Sequence, residues 1–145
     1  MTQGTVAIAN DHAGVEMKRA LVADLEAMGW RALDLGTGTA DSVDYPDFGR
    51  AVAEAVVQGT AVRGVVICGT GIGISIAANR MPGVRAAVCH DATTARLARA
   101  HNDSNVMALG ARVIGFETAR DCLKAFLDTA FDGGERHERR VRKLG

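Results

Sequence analysis

Four stretches of the sequence concentrate side chains able to move a proton or hold an anion. They are Asp11-His12, Cys68 with the loop Gly69-Thr70-Gly71-Ile72-Gly73, His101-Asn102, and Arg112 together with a cluster of arginines at the C-terminal end. Three glycines at alternate positions let the backbone approach a ligand closely and aim N–H groups at it. A helix following the loop adds its positive N-terminus, so a phosphate or a developing oxyanion would suit the pocket. A dinucleotide fingerprint fits less well, because Ile74 stands where its third glycine belongs. Asp91, further on, is better explained as a helix cap.

Cys68 immediately precedes the loop. A sulfur facing a helix N-terminus and a ring of amides is favoured as thiolate, which could serve as nucleophile or as base. Cys89 and Cys122 lack that setting and read as inert, buried residues. Asp11-His12 and His101-Asn102 add carboxylate, imidazole and amide. The spacing holds no His-x-x-His, Glu-x-x-His or paired cysteines, so no metal site is expected.

These residues need elements to hold them. Short β-rich apolar runs alternate with helical patterns. Strands are expected at Thr5–Asn10, Arg31–Leu35, Gly64–Cys68, Val84–Val88 and Val106–Leu109. Helices are expected at Val15–Met28, with Met17, Leu21, Leu25 and Met28 on one face and Gly29 as its stop, and from Pro46 to Gly59. Further helices run from Ile74 to Arg80, from Asp91 to about His101, and from Glu117 to Thr129. Such alternation predicts a five-stranded parallel sheet between two helical layers, a Rossmann-like α/β/α sandwich. Ligands bind such sheets beyond the carboxyl ends of the strands. Asp11-His12, the loop 69–73 and Arg112 follow strands directly. His101-Asn102-Asp103, in the segment entering the fifth strand, is expected to join them.

Composition bounds the partners. The chain has 145 residues, 48% hydrophobic and 23% charged, with 17 basic and 17 acidic side chains. That describes one globular domain able to bury roughly two-thirds of its unfolded surface. Residues 1–132 form the expected domain body, and 133–145 a basic tail belonging to the same domain and site. The tail, after Gly133-Gly134, carries Arg136, Arg139, Arg140, Arg142 and Lys143 against Glu135 and Glu138, which suggests an anion site or a docking segment. One Trp, one Tyr and four Phe are too few for a nucleic-acid stacking platform. The apolar run Val65–Cys68 is far short of the ~20 residues of a membrane span. No secretory signal is evident at the start, and three cysteines without a close pair point to the reducing cytoplasm.

In order along nearly the whole chain stand Asn10-Asp11-His12-Ala13-Gly14, Asp44-Tyr45-Pro46 and Cys68 to Asn79 (CGTGIGISIAAN). They are followed by His101-Asn102-Asp103, Asn105-Val106, Gly110 to Gly115 (GARVIG), Arg136-His137 and Arg140-Val141. With these motifs the chain resembles the ribose/galactose isomerase family. The resemblance implies Cys68 as the base that moves a proton between sugar carbons and His101 as the acid that opens the furanose ring, with Thr70 beside them. It implies Asp11, His12, Tyr45, Gly69, Thr70, Gly71, Ile72, Gly73 and Asn102 as substrate contacts, and Arg112, Arg136 and Arg140 as the phosphate grip. Some relatives carry a glutamate base in the glycine-loop helix. Ser75 is the residue of that helix here, so the chain follows the cysteine type.

The implied activity interconverts D-ribose 5-phosphate and D-ribulose 5-phosphate without a cofactor, in a homodimer that can pair into a tetramer, with each site built from two subunits. The residues themselves agree: enediolate chemistry needs a base, a ring-opening acid and oxyanion donors. Allose 6-phosphate or galactose 6-phosphate are alternative substrates. A nucleotide-binding regulatory module is the rival reading; it rests on the glycine loop and leaves Cys68, His101 and the tail arginines unused.

Overall fold

A computed structural model describes residues 3–145. Five parallel strands, β1 (Thr5–Asn10), β2 (Arg31–Asp34), β3 (Arg63–Cys68), β4 (Ala86–Val88) and β5 (Val106–Gly110), form one sheet in the order β2-β1-β3-β5-β4. The helices are α1 (Val15–Ala27), α2 (Tyr45–Val57), α3 (Ile72–Asn79), α4 (Ala92–Asn102), α5 (Phe116–Asp128) and α6 (Glu135–Leu144). A single 3-10 turn, His12–Gly14, links β1 to α1.

The strands divide their side chains between two cores by the period-2 rule. Val6, Ile8, Val65, Ile67, Met107 and Leu109 face one side, against α1, α4 and α5. Ala7, Ala9, Val66, Cys68, Val106 and Ala108 face the other, against α2 and α3. The first core takes the bulky residues and the second the small ones. In α1, Met17, Leu21 and Leu25 repeat every four residues and are fully buried, each contributing about 1.5–3 kcal/mol. Gly29, at φ +88°, ends that helix region as its composition predicts. Asp91 closes a capping box with Thr94 at the start of α4. No helix among the described residues is long and apolar enough to cross a membrane.

The boundaries differ slightly from the sequence expectation. β4 is only three residues long: the Arg85 N–H donates to the side chain of Asn105, and the ladder begins one residue later, where Ala86 pairs with Val106. The basic tail is helical, and α6 packs on α4.

Candidate active site

At the carboxyl end of β3 the chain turns sharply into α3. Gly71 sits at φ +80°, and a Cβ there would lie 2.9 Å from the Leu109 carbonyl carbon, so only glycine closes the turn. The turn brings the Gly71 N–H to 3.2 Å from Cys68 Sγ, to which it donates. Thr70 Oγ1 accepts from the Ile72 N–H at 3.2 Å. The first turn of α3 leaves N–H groups without intrahelical acceptors, as any helix start does.

A cavity of about 330 Å³ opens here, lined by Asp11, Tyr45, Cys68, Gly69, Thr70, Ile72 and Gly73. Cys68, 4% exposed, forms part of the wall. The Tyr45 ring lies against Gly73, where a Cβ would stand 2.6 Å from ring carbons; glycine admits the ring. Asp11 is buried and fixed by accepting the Ala13 N–H at 2.9 Å. His12 Nδ1 accepts the Val43 N–H at 3.2 Å, so the neutral imidazole carries its proton on Nε2. Arg112 is exposed, and its guanidinium lies against Gly69, whose carbonyl also accepts the Arg112 N–H at 2.9 Å.

The segment between β2 and α2, which carries Val43 and leads to Tyr45, is anchored from below. Asn10 Nδ2 donates to the Thr37 carbonyl at 3.1 Å, and the buried Lys18 Nζ pairs with Asp34 at 2.8 Å. Ser75 does not reach the reacting space: its hydroxyl donates to the Ile72 carbonyl at 2.7 Å within α3.

His101 and Asn102 do not join this cluster. They occupy the last turn of α4, not a loop, with Asp103 as a left-handed cap at φ 46°. α4 starts beyond the carboxyl end of β4 and runs back along the sheet, so its end lies at the amino edge. Val106, which follows, pairs with Gly64, whereas Gly110 pairs with Cys68. The length of β5, about 13 Å, therefore separates the level of His101 from that of Cys68. The rule that ligands gather at strand carboxyl ends covers residues after strands; His101 follows a helix.

Arg136 and Arg140 share the His101 end, on α6. There the His101 and His137 rings stack, with centroids 4.5 Å apart and planes within 9°. Asp132 joins them, its N–H donating to the Ala100 carbonyl at 3.0 Å. One donor atom each from His101, Asp132 and His137 lie within 4.8 Å of one another. Linear spacing contains no sign of this cluster. His137 was visible beside Arg136, whereas Asp132 carried no signal. Desolvation by its neighbours, then charge repulsion from the adjoining His101 ring and the Arg136 guanidinium, hold the His137 imidazole below the ordinary histidine range.

One chain thus carries two clusters of polar side chains at opposite ends of its sheet. One holds the Cys68 sulfur, the Asp11 carboxylate, His12, Arg112 and backbone donors; the other holds the stacked His101 and His137 imidazoles, Asp132, Arg136 and Arg140. The first can abstract a proton and stabilise an oxyanion, and the second can deliver a proton and bind an anion.

The sequence model of a family described as Ribose/Galactose Isomerase matches residues 6–144. The ribose-5-phosphate isomerase B of Escherichia coli is 44% identical over 139 residues, covering 96% of this chain and 93% of the relative. The D-erythrulose-4-phosphate isomerase of Pectobacterium atrosepticum is 41% identical over 131 residues, 90% of this chain and 86% of that one. A solved structure of Clostridium thermocellum ribose-5-phosphate isomerase B superposes with a TM-score of 0.95 at 51% identity, over 97% of this chain and 95% of that one.

Proposed function

The chain belongs to the ribose/galactose isomerase family, and we propose that it interconverts D-ribose 5-phosphate and D-ribulose 5-phosphate. The observation that carries the reading is Cys68 in the cavity wall, its sulfur taking the Gly71 N–H, with Asp11, Tyr45 and Thr70 around the same space. Similarity to ribose-5-phosphate isomerases B across nearly the whole chain supports the choice of sugar. A four-carbon substrate is the second reading, favoured by the D-erythrulose-4-phosphate isomerase among the relatives.

His101 donates a proton to the ring oxygen of the furanose, and the C1 hydroxyl gives up its own, leaving the open aldehyde. Cys68 then takes the C2 proton. The electron pair enters the C1–C2 bond, and the carbonyl oxygen at C1 becomes an enediolate oxygen facing the N–H groups of 69–73. The O2 proton passes to O1, and Cys68 returns its proton to C1. No net oxidation occurs. Asp11, His12 and Asn102 hold the sugar hydroxyls, and Tyr45, Ile72 and Gly73 bound the space. Arg112, Arg136 and Arg140 grip the phosphate, where planar guanidinium donors match its oxygens.

Because His101, Asn102, Arg136 and Arg140 stand at the other end of the sheet, the working unit in this reading is a homodimer. The His101 end of one copy closes over the Cys68 end of its partner; two such dimers can pair into a tetramer. Residues 133–145 then belong to the same domain and to the site. The cytoplasm is the proposed location, in keeping with three free, buried cysteines. A coupled assay over a panel of aldose phosphates tests the proposal: turnover should be highest with ribose 5-phosphate. Absence of turnover with every phosphorylated aldose would overturn it.

A further inference from the structure

The cluster at the end of α4 brings together two imidazoles and a carboxylate from three separate segments, Ala92–Asn102, the connection after α5, and α6. Asp132 is exposed and the two histidines are half-buried, so an ion can reach all three. We propose that His101, Asp132 and His137 form a zinc-binding site, and that zinc bound there switches off ring opening. The second clause rests on the proposed role of His101.

The donor set selects the ion. Arg136 and Arg140 add positive charge near His137, which works against cations held mainly by charge, such as Mg²⁺ and Ca²⁺. Two imidazole nitrogens and a carboxylate suit Zn²⁺, whose affinity comes from coordinate bonds. Three protein ligands leave a fourth position open to water. Tetrahedral zinc at ~2.0–2.1 Å needs donors roughly 3.3 Å apart, so the present separation of up to 4.8 Å must close by tilting the stacked rings and turning the exposed Asp132. The carboxyl end of α4, where His101 sits, presents partial negative charge to a cation. A nitrogen of His101 bound to zinc has no proton to give the sugar ring oxygen there. Zinc thereby stops turnover of the cyclic sugar while leaving the Cys68 cavity intact.

Cobalt(II) and zinc titrations of the chelator-treated full-length protein test this, with Asp132→Asn and His137→Gln as variants. Both positions lie on the surface side of the cluster, and circular dichroism reports whether each variant is folded. The expected result is one cobalt per chain, giving visible ligand-field absorption without the near-ultraviolet band of a cobalt–thiolate bond, and displaced by zinc. Removing a ligand should weaken binding by more than ~100-fold, since losing even an outer partner of a ligand costs ~10–100-fold. Zinc should inhibit wild-type turnover of ribose 5-phosphate, and each variant should need correspondingly more zinc to lose half of its own zinc-free rate. No binding, binding unchanged in folded variants, or a thiolate band assigning the metal to Cys68 would overturn the site. Binding is read without turnover. A protein that does not isomerise ribose 5-phosphate yet loses cobalt in both variants refutes the catalytic reading and the inhibitory consequence, and leaves the metal site standing.

Discussion

If each active site joins the Cys68 end of one copy to the His101 end of another, inactive chains should rescue one another in a predictable pattern. Cys68→Ala removes the base and His101→Asn the ring-opening acid, and each homodimer should lose ~10²–10⁴-fold in rate on ribose 5-phosphate. In a heterodimer of the two single variants, one site collects both defects and the other collects none. It should run at about half the wild-type rate, because a two-fold dimer has two equivalent sites. The reciprocal pairing is the sharper test. A chain carrying both changes, paired with a wild-type chain, places one defect in each site and should be nearly inactive. If a site lay within one chain, the pattern would invert: the paired singles would be dead and the double-plus-wild-type pair half active. Heterodimers are isolated by two different affinity tags on co-expressed chains and assayed at once, before subunits exchange. The structural basis is the ~13 Å of β5 between the two groups, a gap no proton donor spans by rotating its side chain. Inverted activities would refute the reasoning, whatever the oligomeric state.

Arg136→Ala and Arg140→Ala should each lower kcat/KM on the phosphorylated sugar by about 10- to 150-fold, the equivalent of one charge-assisted contact, and hardly alter the poor reaction with free ribose. Arg139→Ala and Arg142→Ala are the surface controls, and equal losses on both sugars would make the tail a structural strut. Burial pushes the Cys89 thiol up to about 12 and the Cys122 thiol up to about 11. Unfolded thiols ionise near ~8.5, so above that pH the unfolded chain sheds protons that the folded chain keeps. The contribution of the two thiols should therefore be constant below about pH 8 and then fall by up to ~1.4 kcal/mol per pH unit for each thiol. Urea unfolding at a series of alkaline pH values checks this, and Cys89→Ala and Cys122→Ala should each flatten the slope. Gly71→Ala forces a side chain to φ +80° against Leu109 and should cost about 1–3 kcal/mol in thermal unfolding, with displacement of the residue 71 N–H from Cys68 Sγ appearing as lower kcat.

The sheet was legible because burial on both faces writes itself into the strands. Val65, Val66, Ile67 and Cys68 are all buried, as an apolar run bounded by glycine implies, and Met17, Leu21 and Leu25 mark one helix face by spacing alone. The cluster around Cys68 was legible for the same reason. Asp11, Cys68 and the loop 69–73 follow strands directly, and residues following parallel strands share one end of the sheet. His101 shows where that logic needs a second term. Its neighbours in sequence, Val106 to Gly110, point toward the Cys68 end, but the side chain precedes the strand instead of following it. In a βα repeat, residues after helices and residues after strands face opposite ways, so position in the alternation decides which end of the sheet a residue joins. The parity also separates the tail arginines from Arg112, although resemblance groups all three around one phosphate. Asp132 lay beyond any such rule. It meets His101 and His137 only because α6 turns back onto the end of α4, a contact between segments that no local spacing encodes. A shared site needs these two ends to be complementary rather than alike. In the proposed dimer the chain supplies that complementarity by carrying Cys68, Asp11 and the glycine loop at one edge and His101 with the tail arginines at the other.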